Sequence, residues 1–425
     1  MAFSFGAGNT AKLLRIPLYA AGVLATRLIP RTRDRWVFGC GVGIADGALA
    51  LWEVVAAHGH PAVWLVDSDR DARDATERGI PWVWKHSARG FWATARARVV
   101  VVTHGFGDVN RYAVAGAFIA QLWHGIPLKR VGIDSPATVR SDMLPASRVV
   151  RRVLGVLYAR TTRRISLLPA ASHLVRGRLE SAFSLTDGQV PVTGEPRTDV
   201  LSQGTPAARR ERARDLVRAA VGDMPTPASR LVLYAPTWRD GAADPAVPGA
   251  TDWAALTAVL DREDAVLLVR SHPLGSGDYA PPGPTARVRA IGSDVLRDAT
   301  PILPALDALV TDYSSMAYDA GLVGVPVVYL APDVADYARE RGFYGQYEDV
   351  AGADYATDWA GATRQLAEVL GDDTVHAERS ARSVALSTVV HAHRDGANSQ
   401  RVYRGIVTSA RLPHSAPDVR SRRKP

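Results

Sequence analysis

The stretch Val310-Thr311-Asp312-Tyr313-Ser314-Ser315-Met316-Ala317-Tyr318-Asp319 reads as an apolar β-strand that ends in two hydroxyls and passes directly into a helix. The unpaired N–H groups of a helix's first turn and the positive end of its dipole favour an anion at such a junction, and Ser314 and Ser315 add two donors. Taken alone, either serine is more readily read as a helix cap. Three other polar clusters stand where apolar runs give out. They are Gln121-Leu122-Trp123-His124-Gly125-Ile126-Pro127-Leu128-Lys129-Arg130, Leu231-Val232-Leu233-Tyr234-Ala235-Pro236-Thr237-Trp238-Arg239-Asp240, and Val266-Leu267-Leu268-Val269-Arg270-Ser271-His272-Pro273. In an open α/β sheet, ligands bind beyond the carboxyl ends of the strands, so the clusters together predict one ligand site on an α/β scaffold.

Working outward, short β-rich runs alternate with longer helical stretches, the pattern of parallel sheets. A first set is expected at 35–39, 62–67, 99–103, 117–123, 165–168 and 190–194, and a second at 231–235, 266–270, 287–291, 308–312 and 327–330. Between them, Gln203-Gly204-Thr205-Pro206 and a Gly/Pro-rich stretch at 222–227 read as a connection between domains. The predicted fold is α/β: two Rossmann-like doubly wound domains facing each other across a cleft, the GT-B plan. The expected divisions are an apolar and basic segment at 1–30, an N-terminal Rossmann-like domain at 31–205 and a C-terminal Rossmann-like domain at 206–385. A C-terminal helix packing back at 386–410 and a disordered basic tail at 411–425 complete the chain.

The chain has 425 residues, 47% of them hydrophobic, which is enough for two or three domains with real cores. A single cysteine, Cys40, excludes an internal disulfide framework and a cysteine-based zinc cluster, and points to a reducing compartment. The net charge of +8 calls for an anionic partner; the arginines are dispersed, which argues against nucleic acid. Residues 11–30 are apolar with interspersed cations and too short to span a bilayer. They read as an interfacial helix, with Lys12, Arg15, Arg27, Arg31 and Arg33 meeting anionic lipid; a signal peptide and a helix packed on the protein's own core are the alternatives.

The residues resemble a family, the CDP-glycerol glycerophosphotransferases that build teichoic-acid and capsule-type polyol-phosphate polymers. The resemblance rests on Trp36-Val37-Phe38-Gly39, Trp123-His124-Gly125-x-Pro127-Leu128-Lys129, Gly194-x-Pro196-Arg197-x-Asp199 and Tyr234-Ala235-Pro236-Thr237-Trp238-Arg239. Arg270-x-His272-Pro273, Thr311-Asp312-Tyr313-Ser314-Ser315-x-x-x-Asp319 and Arg341-Gly342-Phe343-Tyr344 follow in the family's order. It implies a CDP-activated polyol, most readily CDP-glycerol, as donor and substrate, a lipid-linked acceptor, and release of CMP by a peripheral enzyme on the cytoplasmic face of the membrane. No covalently bound cofactor and no metal are implied, and a Mg2+ requirement stays open.

Carried over position by position, the resemblance makes His124 the general base, a role that suits an imidazole at neutral pH. It assigns Gly125, Ile126, Pro127 and Leu128 to donor contact. His272 would hold the pyrophosphate or assist the leaving CMP, beside Arg270 and Ser271, with Arg197 against the same phosphates. Pro236 and Thr237 fall at the nucleotide, and Ser314 and Ser315 at the donor phosphates. Asp319, four residues after Ser315, would accept a glycerol or ribose hydroxyl, while Asp312 closes its strand through turn hydrogen bonds.

Three positions depart from the family pattern: Ile126 for the usual Thr, Glu195 where an aromatic is common, and Ser271 where an apolar residue is frequent. The polyol therefore stays open. The length implies one or a few additions to a primer as readily as long-chain synthesis. Gly39-Cys40-Gly41-Val42-Gly43 reads as a turn rather than a dinucleotide loop, and His391, His393 and Asp395 as surface rather than metal ligands. Two other functions fit the same scaffold: a glycosyltransferase using a nucleotide-sugar, and a noncatalytic protein binding nucleotide or polymer at the membrane surface.

Overall fold

The computed structural model describes residues 16–136, 138, 148–239, 243–271 and 277–412. The chain divides into two compact units. The first comprises residues up to Gly125, Val131–Asp199 and the segment from Asp395 onward; the second comprises Ile126–Arg130 and Val200–Arg394.

In the first unit five parallel strands lie in the order β3-β2-β1-β4-β5: β1 (Trp36–Phe38), β2 (Ala62–Val66), β3 (Trp82–Trp84), β4 (Val99–Val102) and β5 (Phe118–Gln121). Trp36–Phe38 and the four valines of β4 are buried throughout, as strands covered on both faces by helices must be. Expected strands at 165–168 and 190–194 are reduced to single parallel bridges, Ala120 with Leu167 and Ala170 with Val192. They continue the sheet beyond β5. β3 is not among the expected strands; its Trp-Val-Trp is short and partly exposed.

The C-terminal part of the chain is split. The stretch expected as one helix at 386–410 is divided between the end of the helix Asp373–Val390 and the helix Asn398–Ala410, and the latter belongs to the first unit. Val402, Tyr403, Ile406 and Val407 lie in one apolar cluster with Trp36, Phe38, Leu51 and Trp64. Each such buried side chain contributes about 2 kcal/mol relative to exposure. The end of the sequence thus completes the core of its beginning.

The second unit repeats the plan in the order β10-β9-β6-β7-β8, again all parallel: β6 (Arg230–Ala235), β7 (Ala265–Val269), β8 (Val288–Ala290), β9 (Ala308–Thr311) and β10 (Val327–Tyr329). In each sheet the chain starts in the middle and builds first to one side and then to the other. The reversal falls between β1 and β4 in the first unit and between β6 and β9 in the second. Those are the places where crossover helices leave a crevice above the strand ends.

The described N-terminal helix, Ile16–Leu28, lies against the first unit through Gly22, where a Cβ would fall 2.5 Å from the Tyr112 carbonyl, and through Tyr19, whose ring sits 4.9 Å from that of Tyr112. Leu18, Leu24 and Leu28 are exposed. Arg31, expected at lipid, instead turns inward. Its guanidinium donates to the carbonyls of Thr94, Ala97, Ala113 and Ala115, and burial, with Arg98 nearby, pushes its pKa down to about 10. Lys12, Arg15 and the tail 413–425 lie outside the described residues, and among the described residues no helix is long and apolar enough to cross a membrane.

Candidate active site

In the first unit the polar groups gather at the ends of β4, β5 and β1. β5 stops at Gln121, and the chain turns through Trp123 at φ 63°, a left-handed conformation that costs a bulky residue energy, then His124, then Gly125 at φ 145°. Only glycine reaches the last of these easily. The turn is held by aromatic packing: the Trp123 ring meets Phe183 edge-on at 4.9 Å and lies 4.3 Å from the His124 ring. Strain at Trp123 is thereby spent on fixing the direction in which the imidazole is presented.

A second imidazole lies against the first. β4 pairs with β5 with Val102 opposite Gln121, so the residues just beyond the two strands fall side by side. His104 and His124 stack face to face, with ring centroids 4.2 Å apart and planes 4° from parallel. His104 is fixed from below. The Asp108 carboxylate accepts the N–H groups of Thr103 at 2.9 Å, His104 at 2.7 Å and Gly105 at 3.3 Å, and the His104 Nδ1 lies 2.8 Å from the Thr103 hydroxyl. On its other side Gly41 lets the backbone of the β1 turn approach, since a Cβ there would fall 2.6 Å from the ring. The Cys40 thiol is pushed up by burial, with Asp46 and Asp108 adding to it, which disfavours its thiolate.

The Gly194-x-Pro196-Arg197-x-Asp199 motif is engaged within the first unit. The Arg197 Nε donates to Glu195 at 2.9 Å, and both side chains are buried. Its charge is answered within the protein. Asp199 accepts the N–H groups of Asn398 and Ser399, each at 2.8 Å, at the start of the last helix, and Asn398 Nδ2 donates to the Glu195 carbonyl. The motif clamps the returning chain onto the first unit.

In the second unit the strand-end clusters flank the reversal between β6 and β9. Asp312 receives the N–H of Thr237 at 2.9 Å, the N–H of Tyr313 at 2.6 Å and the Arg239 Nη1 at 2.8 Å. Arg239 also grips Asp333 with two N–H groups, at 2.7 and 2.9 Å, between the rings of Tyr313 and Tyr337 at 4.9 and 5.1 Å. Burial works against the Arg239 charge, but Asp333 and Asp312 outweigh it and hold the guanidinium above its ordinary pKa. Asp312 closes its strand, as the sequence suggests. The Thr237 hydroxyl is buried and takes no hydrogen bond among the described residues.

The helix after Ser315 is short, Met316–Ala320. Ser314 accepts the Met316 N–H at 3.3 Å, and Ser315 makes no side-chain cap bond; both are half-buried. Asp319, expected at a substrate hydroxyl, is 2% exposed, with the His391 Nε2 3.5 Å from its Oδ1. His391 is therefore buried, not on the surface, and Asp395 pairs with Arg401 at 2.9 Å. Among the described residues no group of three His, Cys, Asp or Glu is placed to hold a metal.

Arg270 differs in the same way: its guanidinium donates to the carbonyls of Ile291 at 3.0 Å, Leu296 at 2.6 Å and Arg297 at 2.9 Å, so it holds the loop after β8 rather than standing open to a phosphate. Ser271 is half-buried, and His272 lies outside the described residues. Gly125, Ile126, Pro127 and Leu128 are buried. Residues 126–130 join the second unit through a clip in which the Arg130 N–H donates to the Gly342 carbonyl at 2.9 Å and the Tyr344 N–H to the Leu128 carbonyl at 3.1 Å. The half-buried Lys129 in this clip is pushed down to about 8 by burial, with Arg341 adding repulsion and Asp312 opposing it.

Residues 39–408 match the family described as CDP-glycerol:poly(glycerophosphate) glycerophosphotransferase. The chain belongs to that family. It is accordingly an enzyme of the transferase class, as its motifs imply. The chain is 25% identical over 411 residues to the teichoic acid glycerol-phosphate transferase of Staphylococcus aureus (strain NCTC 8325 / PS 47), covering 93% of this chain and 98% of that one. Over 254 residues it is 30% identical to the teichoic acid poly(glycerol phosphate) polymerase of Staphylococcus epidermidis, covering 58% of this chain and only 33% of the polymerase. A solved structure of a histidine-to-asparagine variant of the wall teichoic acid polymerase TagF, soaked with CDPG, superposes with a TM-score of 0.73 at 22% identity, covering 93% of each chain. That likeness establishes the shared fold of two parallel-sheet, Rossmann-like units. His104 is the residue sequence reasoning passed over, although it follows an apolar strand just as His124 does.

Proposed function

We propose that this glycerophosphotransferase-family chain transfers glycerol phosphate from CDP-glycerol to a hydroxyl of a lipid-linked acceptor and releases CMP, in the synthesis of a teichoic-acid-like polymer. The observation that carries the reading is the presentation of His124, an imidazole held at a strand end by a strained Trp123 and a glycine turn inside a family match that spans most of the chain. In the proposed step the acceptor oxygen attacks the phosphorus that bears glycerol. Its proton passes to His124, the bond from that phosphorus to the bridging oxygen breaks, and CMP leaves with the electron pair. Ser314, Ser315, Thr237 and His272 of the second unit serve the donor. With Arg239, Arg270 and Arg197 engaged internally, backbone N–H groups and hydroxyls rather than free guanidinium groups supply much of the contact.

The acceptor's lipid calls for a membrane-facing surface, and two helices of the first unit suit it. Besides Leu18, Leu24 and Leu28, the helix Arg148–Thr162 exposes Val149, Val153, Val156 and Leu157 among Arg148, Arg151, Arg152 and Arg160 and carries no acidic residue. An apolar stripe edged by arginine is the composition that binds an anionic bilayer, each cation adding about 1 kcal/mol near the surface.

The test is product analysis with purified chain, a lipid-linked primer and a panel of CDP-alcohols and UDP-sugars. CMP formed from CDP-glycerol, with the primer gaining one glycerol phosphate or more, is the expected result; UDP release from a sugar donor with no CMP from any CDP-alcohol would replace the reading with a glycosyltransferase. Sedimentation with phosphatidylglycerol vesicles checks the surface. Val153→Glu with Val156→Glu should lower the bound fraction, and undiminished binding of that variant would remove the helix Arg148–Thr162 from the interface.

A further inference from the structure

We propose that His104 is the positioning residue for His124: its imidazole, stacked face to face on the base and carried on a backbone that Asp108 anchors, fixes the plane of the His124 ring and leaves the proton of the acceptor one place to go. The inference rests on the reading of His124 as the base. It comes from geometry alone, namely the 4.2 Å separation and 4° angle of the two rings and the bracing of His104 from below and behind.

The bracing is specific. Asp108 takes consecutive backbone N–H groups from Thr103, His104 and Gly105, so the end of β4 is wrapped around one carboxylate and cannot swing. The Thr103 hydroxyl lies 2.8 Å from the His104 Nδ1 and 3.3 Å from the Cys40 sulfur, which ties the ring's edge to the turn after β1. Gly41 closes the remaining side. A ring so enclosed has little freedom of its own and can impose its plane on a neighbour.

Stacked planes have a chemical consequence. The nitrogen lone pairs and N–H bonds of both imidazoles lie in their own planes, so two parallel rings present π-faces to each other and share no N–H···N line. His104 cannot take the proton from His124 or donate one to it. Burial also pushes the His104 imidazole down, with Asp108 opposing, which favours its neutral form. A neutral aromatic face beside an imidazolium is favourable, whereas a second cation there would not be.

The experiment compares His104→Ala, His104→Phe and His124→Asn in the CMP-release assay, with donor binding followed separately by calorimetry. His104→Ala is expected to lower kcat about tenfold while the KM and Kd for CDP-glycerol stay within about twofold, the loss of a well-oriented base. His104→Phe keeps a flat ring in place and should recover most of kcat. Histidine-selective NMR adds a readout independent of turnover: removing the stacked ring in His104→Ala should move the ring-proton signals of His124 downfield, and Phe should restore them. Wild-type kcat in His104→Ala, or Ala and Phe equally impaired with equal loss of thermal stability, would overturn the proposal. Should His124→Asn keep full turnover, the assignment of the base has failed instead, and that result is separate from the comparison of the two His104 variants.

Discussion

The ends of β5 and β9 carry the two motifs that point to function, yet they use their polar residues in opposite ways. Beyond β5 the backbone is strained and the imidazole of His124 is packed against rings, with His104 on its face and Trp123 beside it. Beyond β9 the backbone is relaxed, and the strongest charges are consumed inside the protein, Asp312 by Arg239, Arg239 by Asp333, and Asp319 facing His391. The difference teaches that a motif residue can serve a site in two ways, by reacting or by building the frame that presents backbone N–H groups and hydroxyls. In the second unit Arg239, Arg270, Asp312 and Asp319 all have partners within the protein, as frame residues do.

The largest effect should come from the reacting side. His124→Asn keeps a planar, similarly sized group but removes the proposed base, and kcat for CMP release should fall on the order of a thousandfold with folding intact. A change under about tenfold would make the first unit a frame as well and erase the contrast. Next comes the frame itself. Arg239→Met leaves the buried Asp312 and the half-buried Asp333 without their cation, which costs about 3–5 kcal/mol and lowers the melting temperature on the order of 10 °C. An unshifted melting curve with lost donor binding would instead make Arg239 a ligand-binding group. The smallest effect sharpens the distinction within the second unit. Thr237→Val removes the buried hydroxyl that has no partner among the described residues. Stability should be unchanged, and the KM for CDP-glycerol should rise five- to tenfold, the value of one hydrogen bond of about 1 kcal/mol. Equal KM would place that hydroxyl off the donor.

What could be read in advance follows from the range of the forces involved. Valine-rich runs such as Val99–Val102 and the leucine-rich β6 and β7 announce buried parallel strands, so two sheets and their polar strand ends were legible. The turn at His124 was legible too, because Gly125 sits where a strand must stop. Pairing choices were not. Nothing local tells that Arg270 selects three carbonyls beyond β8, or that Asp199 caps a helix two hundred residues later. The four-residue spacing of Ser315 and Asp319 predicts a shared helical face, but the helix is a turn or so long and that carboxylate is enclosed against His391. His104 was hidden for a further reason: its meaning lies in the β4–β5 register, which only the assembled sheet supplies.

The return of the chain at Asp395 reverses the usual logic of a truncation. Because Val402, Tyr403 and Ile406 fill the same interior as Trp36 and Phe38, a premature stop codon before residue 398 would spare every strand and every motif and still leave the amino-terminal half with a hole in it. The helix Asn398–Ala410 must be made before the half that carries His124 can settle, so an imidazole made early is assembled late.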